Sequence, residues 1–346
     1  MPSTFQKTFC APVFTVATLL ACFVFLTLSG VEAAMDGDGS PDNPWRVAAY
    51  DHLRLVGSGT ASGSANNYAM NHHYLQVADI QCPAGEDRSS FRPIGSRGDE
   101  NIFTGVYDGR GHRIKNLYIG RSGRGHALFQ ALGADAVVRN LGLVEVEIAT
   151  TGHSAAALAV SAAEGALVSN CFATGSVEAS YFLGGLLASN RGTVEDCFTM
   201  VDVTGSSGTS RVGGLIGDNR GIVRRCYSTG AVENTATQNM VGGLIGVNFE
   251  EGRAYDSFWD RQTSGHASYP VAPSHAQYRE FRSGTRMFTS SMTSIAAYTD
   301  TTLTGLEEPW DIVEGFDESK VWGILPGVND GYPFLQVFSW EQDESP

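Results

Sequence analysis

The sequence predicts an all-β chain wound as a right-handed parallel β-helix, and three observations carry that prediction. First, "VGGLIG" stands at 212–217 and again at 241–246, with "LGGLLA" at 183–188, so Leu186, Leu215 and Leu244 recur every 29 residues. A fixed period of this kind marks stacked coils rather than one closed core. Second, six segments share another pattern: "IKNL" at 114–117, "VRNL" at 138–141, "VSNC" at 168–171, "VEDC" at 194–197, "VRRC" at 223–226 and "AYDS" at 254–257. Third, 41 glycines and only 17% charged residues fit a turn-rich β chain; each glycine inside a helix would cost about 1 kcal/mol relative to alanine.

Taken in order, residues 1–33 read as a signal peptide. Lys7 sits in a polar start, an apolar run extends from Ala11 to Leu28, and "SGVEAA" at 29–34 offers small residues for cleavage near Ala33. "LLAC" ending at Cys22 loosely resembles a lipobox, but "FVFLTL" would then leave apolar residues directly after a lipidated cysteine. The mature chain is expected to be secreted, extracellular or at the cell surface, with the periplasm as the other compartment allowed. No second hydrophobic stretch provides an integral membrane span. Residues 34–100, including "YLQVADIQC" at 74–82, should cap one end, and 101–265 should form the coils. Residues 266–346, with Trp310, Trp322, Tyr332 and Phe334, should cover the other end, because an open coil end exposes unpaired strand edges.

Within the coils, an apolar residue precedes a small or apolar one by three positions, which no straight strand can place on one face. The chain must bend between them. Asn116, Asn140, Asn170, Asp196 and Asp256 occupy that bend, where side-chain amides and carboxylates can bond nearby backbone. Stacking at about 4.8 Å would build ladders of Val168, Val194 and Val223, of Cys171, Cys197 and Cys226, and of Phe172, Phe198, Tyr227 and Phe258. Leucine-rich repeats have similar periods and an Asn ladder, but the intervening segments here are rich in Gly and Ser and lack helical periodicity.

With these residues assembled, the sequence resembles the GLUG-repeat family of secreted bacterial proteins, whose units read roughly G-G-L-[IV]-G-x-N followed by N-C-[YF]-[AS]-T-G-x-V. The match is specific at 183–203, 212–232 and 241–259, and degenerate at 156–177, where "AALAVSAAEG" lacks the glycine pair. "FRPIG" at 91–95, "FTGVYDGRGHRIKNLYI" at 103–119, "SFWDRQTSG" at 257–265 and "WGILPGVNDGYPFL" at 322–335 resemble the usual surroundings of such repeats. The resemblance implies a β-helix and an adhesin-like or other surface-exposed role.

The net charge is −14, and removing residues 1–33 takes away only Lys7 and Glu32, leaving it unchanged. Nucleic acid is a poor partner, since phosphate binding needs clustered Lys and Arg. By the same argument a ligand should be neutral, cationic or bridged by a divalent cation. Arg97-Gly98-Asp99 forms an RGD triplet that could serve as a protein ligand. The loops "MDGDGSPDN" at 36–44 and "YDGRGH" at 107–112 offer carboxylates to calcium, yet neither has EF-hand spacing, and solvated turns explain them as well. In-register thiols point in parallel, so the cysteines are expected to be buried and reduced. No catalytic motif stands out, and Asp202 and Asp218 look isolated, without a matching Lys or Arg cluster. The expected function is an adhesin-like binding module for a glycan or an extracellular protein. A carbohydrate-active lyase or glycosidase and a structural spacer are the rivals.

Overall fold

The computed structural model describes residues 34–59, 67–84, 91–96, 101–120, 123–206, 210–235, 240–265 and 283–340. All of them belong to the compact unit Ala33–Pro346. The signal-peptide segment and Arg97, Gly98 and Asp99 lie outside the described residues.

The chain is a parallel β-helix of about seven turns. One turn runs through Phe182–Gly184, Leu187–Asn190, Thr193–Glu195 and Phe198–Gly205. Each of these strands pairs in parallel with its counterpart one coil away, which builds three walls. The first wall stacks Ser154–Ala156, Phe182–Gly184, Arg211–Gly213 and Met240–Gly242. The second stacks Ala159–Ala162, Leu187–Asn190, Ile216–Asn219 and Ile245–Asn248. The third is a 15-stranded sheet, counted among the described residues, that reaches back through Val137–Ala149 and Val106–Lys115 to Trp45–Val47.

The bend inside the third wall explains the spacing of three. Asn116, Asn140, Asn170, Asp196, Arg225 and Asp256 all take left-handed φ between 47° and 59°, a conformation Asn and Asp tolerate better than most residues. Val194 pairs with Val168 and Val223, and all three are fully buried in the interior with Cys171, Cys197 and Cys226. Two expectations change. Ile114 pairs with Leu143, whereas Val138 pairs with Tyr107, so Asn116 belongs to a second bend beside Glu145 and not to the Asn140 ladder. The bend side chains also bond along the stack rather than to their own backbone: Asn170 Nδ2 donates to Asn140 Oδ1 at 3.2 Å, and Asn140 Nδ2 to Asp108 Oδ1 at 3.0 Å.

At the N-terminal side, Trp45–Val47 pairs with His73–Gln76, and the helix Tyr50–Leu55 buries Leu53 in the same interior core. The C-terminal segment departs from the expected end cap. Ser283–Met287 does extend the third wall beside Arg253–Asp260. The rest, with a three-stranded sheet of Ile312–Glu314, Trp322–Ile324 and Phe334–Leu335, lies along the flank of the coils. The reason is the residue after each cysteine, which points outward. Phe172, Phe198 and Tyr227 stack with centroids 5.0 Å apart and planes within 4°. Such a stripe must be covered, since each aromatic ring left in water forgoes on the order of 2 kcal/mol. Trp310, Trp322, Tyr332, Phe334, Phe338 and Trp340 cover it, forming a second core. Polar ties run the length of this contact: Arg113 Nη2 donates to Ser339 O at 2.7 Å, Trp322 Nε1 to Asp196 Oδ1 at 3.0 Å and Trp310 Nε1 to Asp256 O at 2.9 Å.

Candidate functional site

Where the first wall turns into the second, the two backbones approach too closely for side chains. A Cβ on Gly217 would sit 2.6 Å from the Leu183 carbonyl oxygen and 2.9 Å from its nitrogen, and one on Gly213 would sit 2.6 Å from Gly246 N. Where the sequence permits a methyl or slightly more, Ala127, Ala156, Val160 and Ala188 make a small apolar cluster apart from the interior, with Phe182 packed on it. The result is a crease running along the coils, floored by small residues. The glycine-rich repeat is thus the sequence of a re-entrant corner.

Larger side chains gather at its mouth. In the first wall Phe182 is in register with Arg211 and Met240, and in the second Ser161, Ser189 and Asp218 are in register. Past the corner, the buried amides continue as a ladder, Asn190 Nδ2 donating to Asn219 Oδ1 at 2.9 Å and Asn219 Nδ2 to Asn248 Oδ1 at 2.7 Å. These bonds fix the backbone that presents Arg191, Arg220 and Phe249 immediately after each Asn. Asp218 bridges the walls: its Oδ2 accepts from Arg211 Nη1, and its Oδ1 from Arg220 Nη1 at 2.8 Å. The guanidiniums lie on rings, Arg220 at 3.6 Å from the Phe249 centroid and Arg211 at 4.9 Å from that of Phe182. His153 stacks on Tyr181 at 4.2 Å beside them.

Asp218 is almost fully buried, whereas the side chains of Arg211 and Arg220 keep 20% and 30% exposure. Burial pushes the Asp218 carboxyl up from the ordinary carboxylate range, and Arg220, then Arg211, oppose the shift. Asp218 is therefore not isolated, which corrects the sequence reading. The arginines stand seven residues before it and two after it, spacings that meet only once the walls fold back at the glycines. Asp202 is exposed and accepts from Ala231 N.

The other expected residues serve the scaffold. Asp196 is buried and held by Arg225 and Trp322. Cys171, Cys197, Cys226 and Cys82 are free and buried, and their thiols form no disulfide. Cys171 Sγ donates to Ser169 O at 3.2 Å, Cys197 Sγ to Glu195 O at 3.1 Å and Cys226 Sγ to Arg224 O at 3.2 Å. In the loop 36–44, Asp38 accepts from Ser40 N and Asn43 Nδ2, and in 107–112, Asp108 accepts from Arg110 N, Asn140 and Arg139. Asp38 is occupied by turn bonds, and Asp108 by one turn bond and two donors from the next coil. Among the described residues, no group of three His, Cys, Asp or Glu side chains is placed to hold a metal ion, and no helix is long and apolar enough to cross a membrane.

No family model matches the chain. Halomucin of Haloquadratum walsbyi is 32% identical over 171 residues, covering 47% of this chain and 2% of halomucin. A "Putative Gly-rich membrane protein" of Evansella cellulosilytica is 31% identical over 122 residues, 34% of this chain and 13% of that protein. The chain therefore spans a small part of the curated relatives it matches. Among solved structures, a "putative immunoglobulin A1 protease" from Bacteroides ovatus superposes with a TM-score of 0.60 at 17% identity, over 88% of this chain and 95% of that one. That likeness is one of fold.

Proposed function

We propose that the chain is a secreted or cell-surface protein of the GLUG-repeat kind, acting as an adhesin-like binding module for a glycan or an extracellular protein. The observation that carries this reading is the row of aromatic and guanidinium groups at the crease mouth, set on consecutive coils by the Asn190–Asn219–Asn248 ladder. A solenoid interior filled by side chains offers no deep pocket, so a ligand must lie on an outer face. The flank is covered by the C-terminal segment, whereas the crease mouth presents its arginines part-exposed. Shallow contacts are individually weak, and many copies on one surface would raise avidity without any new contact. The relatives named halomucin and Gly-rich membrane protein support a surface setting.

The test is an array of glycans and extracellular-matrix proteins probed with the full chain, with and without calcium. Binding should be retained by the wild type and reduced at least about fivefold by the paired substitutions His153→Ser and Tyr181→Ser, which remove one exposed and one half-buried ring. Silence against every probe would leave the spacer reading, and depolymerisation of a bound polysaccharide would make the protein an enzyme.

A further inference from the structure

We propose that the ligand of this face is an acidic polysaccharide, whose carboxylate or sulfate groups are received by Arg191, Arg211 and Arg220 along the crease. The inference rests on the binding-module reading and narrows its ligand class. It also reverses the expectation drawn from total charge, because the sign at the contact differs from the sign of the chain.

Around Asp218 itself three guanidiniums gather against one carboxylate, with the exposed Glu164 in the turn one coil before Arg191 and Glu250 and Glu251 after Phe249 flanking them at the two ends. Arg211 and Arg220 each use one Nη1 on Asp218, although a guanidinium carries five N–H donors in a planar fork. Arg191 follows Asn190, the register partner of Asn219, so it stands exposed at the corner one coil before Arg220. One arginine would suffice to satisfy a buried aspartate. Arg211 and Arg220 lie against the rings of Phe182 and Phe249, so these two side chains have less freedom left to lose on binding. Pre-oriented, part-exposed guanidinium forks match the paired oxygens of carboxylate and sulfate.

Two features favour a polysaccharide. The ring faces of Phe182 and Phe249 are taken by arginines, so stacking of a neutral sugar finds little platform there and the available contact is ionic. The groups are also strung along the coil axis: Ser161 and Ser189 in the second-wall row of Asp218, then Arg191, Arg220 and Phe249 on successive coils at about 4.8 Å. A linear polymer laid along the crease meets them in sequence. Glu250 and Glu251, both exposed, bound the strip beyond Phe249.

The experiment measures affinity of the immobilised full chain for polygalacturonate, chondroitin sulfate, uncharged dextran and poly-glutamate. The expected order places one or both acidic polysaccharides first, the first two probes telling carboxylate from sulfate. The double substitution R191Q/R220Q should weaken that binding about tenfold or more, while R54Q, exposed on the N-terminal helix, should not. D218N, which releases two guanidiniums from their internal partner, should tighten it several-fold; a purely structural ion network predicts the opposite. Retained far-UV dichroism checks the fold of each variant. Dextran bound as tightly as the acidic polymers, through the same arginines, would overturn the acidic class and leave the binding module standing. Preference for poly-glutamate would overturn the polysaccharide. Acidic polymers that bind nowhere, together with a blank array, would remove both readings.

Discussion

At Gly217 the difference between hydrogen and methyl decides whether two walls can meet. Gly217→Ala should cost about 2–4 kcal/mol, since the Cβ would meet backbone that cannot swing away. Gly265→Ala is the informative contrast, because nothing lies within 4 Å of its Cβ and only its φ of +73° is strained; about 1 kcal/mol is expected there. Urea denaturation of the two variants separates the steric from the conformational cost. The thiols give a second prediction. Burial pushes Cys82 up to about 12 and Cys197 well above its usual value, and Cys171 and Cys226 are out of reach of solvent, so none of the four buried cysteines should react with a thiol reagent at pH 8 until the chain is unfolded, whereupon at least two should titrate without reductant. Asp218 supplies a pH dependence. Its folded pKa is raised, so the folded state holds the proton more tightly than the unfolded one, and stability falls as pH climbs from the ordinary value of 3.8 through the raised one. Relative to Asp218→Asn, the wild type should lose stability across that window and show a constant difference above it, measured by urea denaturation from pH 4 to 7.

At the scale of elements, the ladders were legible because stacking turns a period in sequence into a contact in space: Val168, Val194 and Val223 could be aligned by eye, and so could the Asn and Asp bends. Residue type misleads at Asn116, whose coil carries two bends, at Arg110 and at Asn116, with only one Asn between them. The crease was not legible as a site, since Arg211, Asp218 and Arg220 converge only when a Gly–Gly–Leu corner reverses the strand. Nor was the flank, because outward aromatics look like inward ones until the bend fixes their direction. Trp322 tests the flank. It is fully buried between Tyr227, Phe198 and Trp310, and Trp322→Ala should cost about 3–5 kcal/mol. The far-UV spectrum of the coils should survive while near-UV aromatic signals collapse, and unchanged near-UV dichroism would speak against a packed flank.

Over the whole molecule, a stack whose coils touch only their neighbours unfolds as a chain of loosely coupled units. Here the C-terminal segment is tied to Arg113, Asp196 and Asp256, three widely separated coils, so the wild type should melt in one transition. A chain truncated after Gly305 retains Trp45 near one end and Trp259 near the other. Fluorescence of single-tryptophan versions of the truncated chain should give different urea midpoints at the two sites, and coincident midpoints would mean that the coils cooperate without the flank.

The same segment has a mechanical side. A bare coil stack pulled from one end would peel like thread from a spool, one turn at a time, each at a modest force. With a stiff aromatic batten fastened across its turns, the load is shared before any turn can lift, and failure becomes a single event at a higher force. A protein held on a surface in moving fluid would then stay wound, and keep its crease in shape, until the batten itself let go.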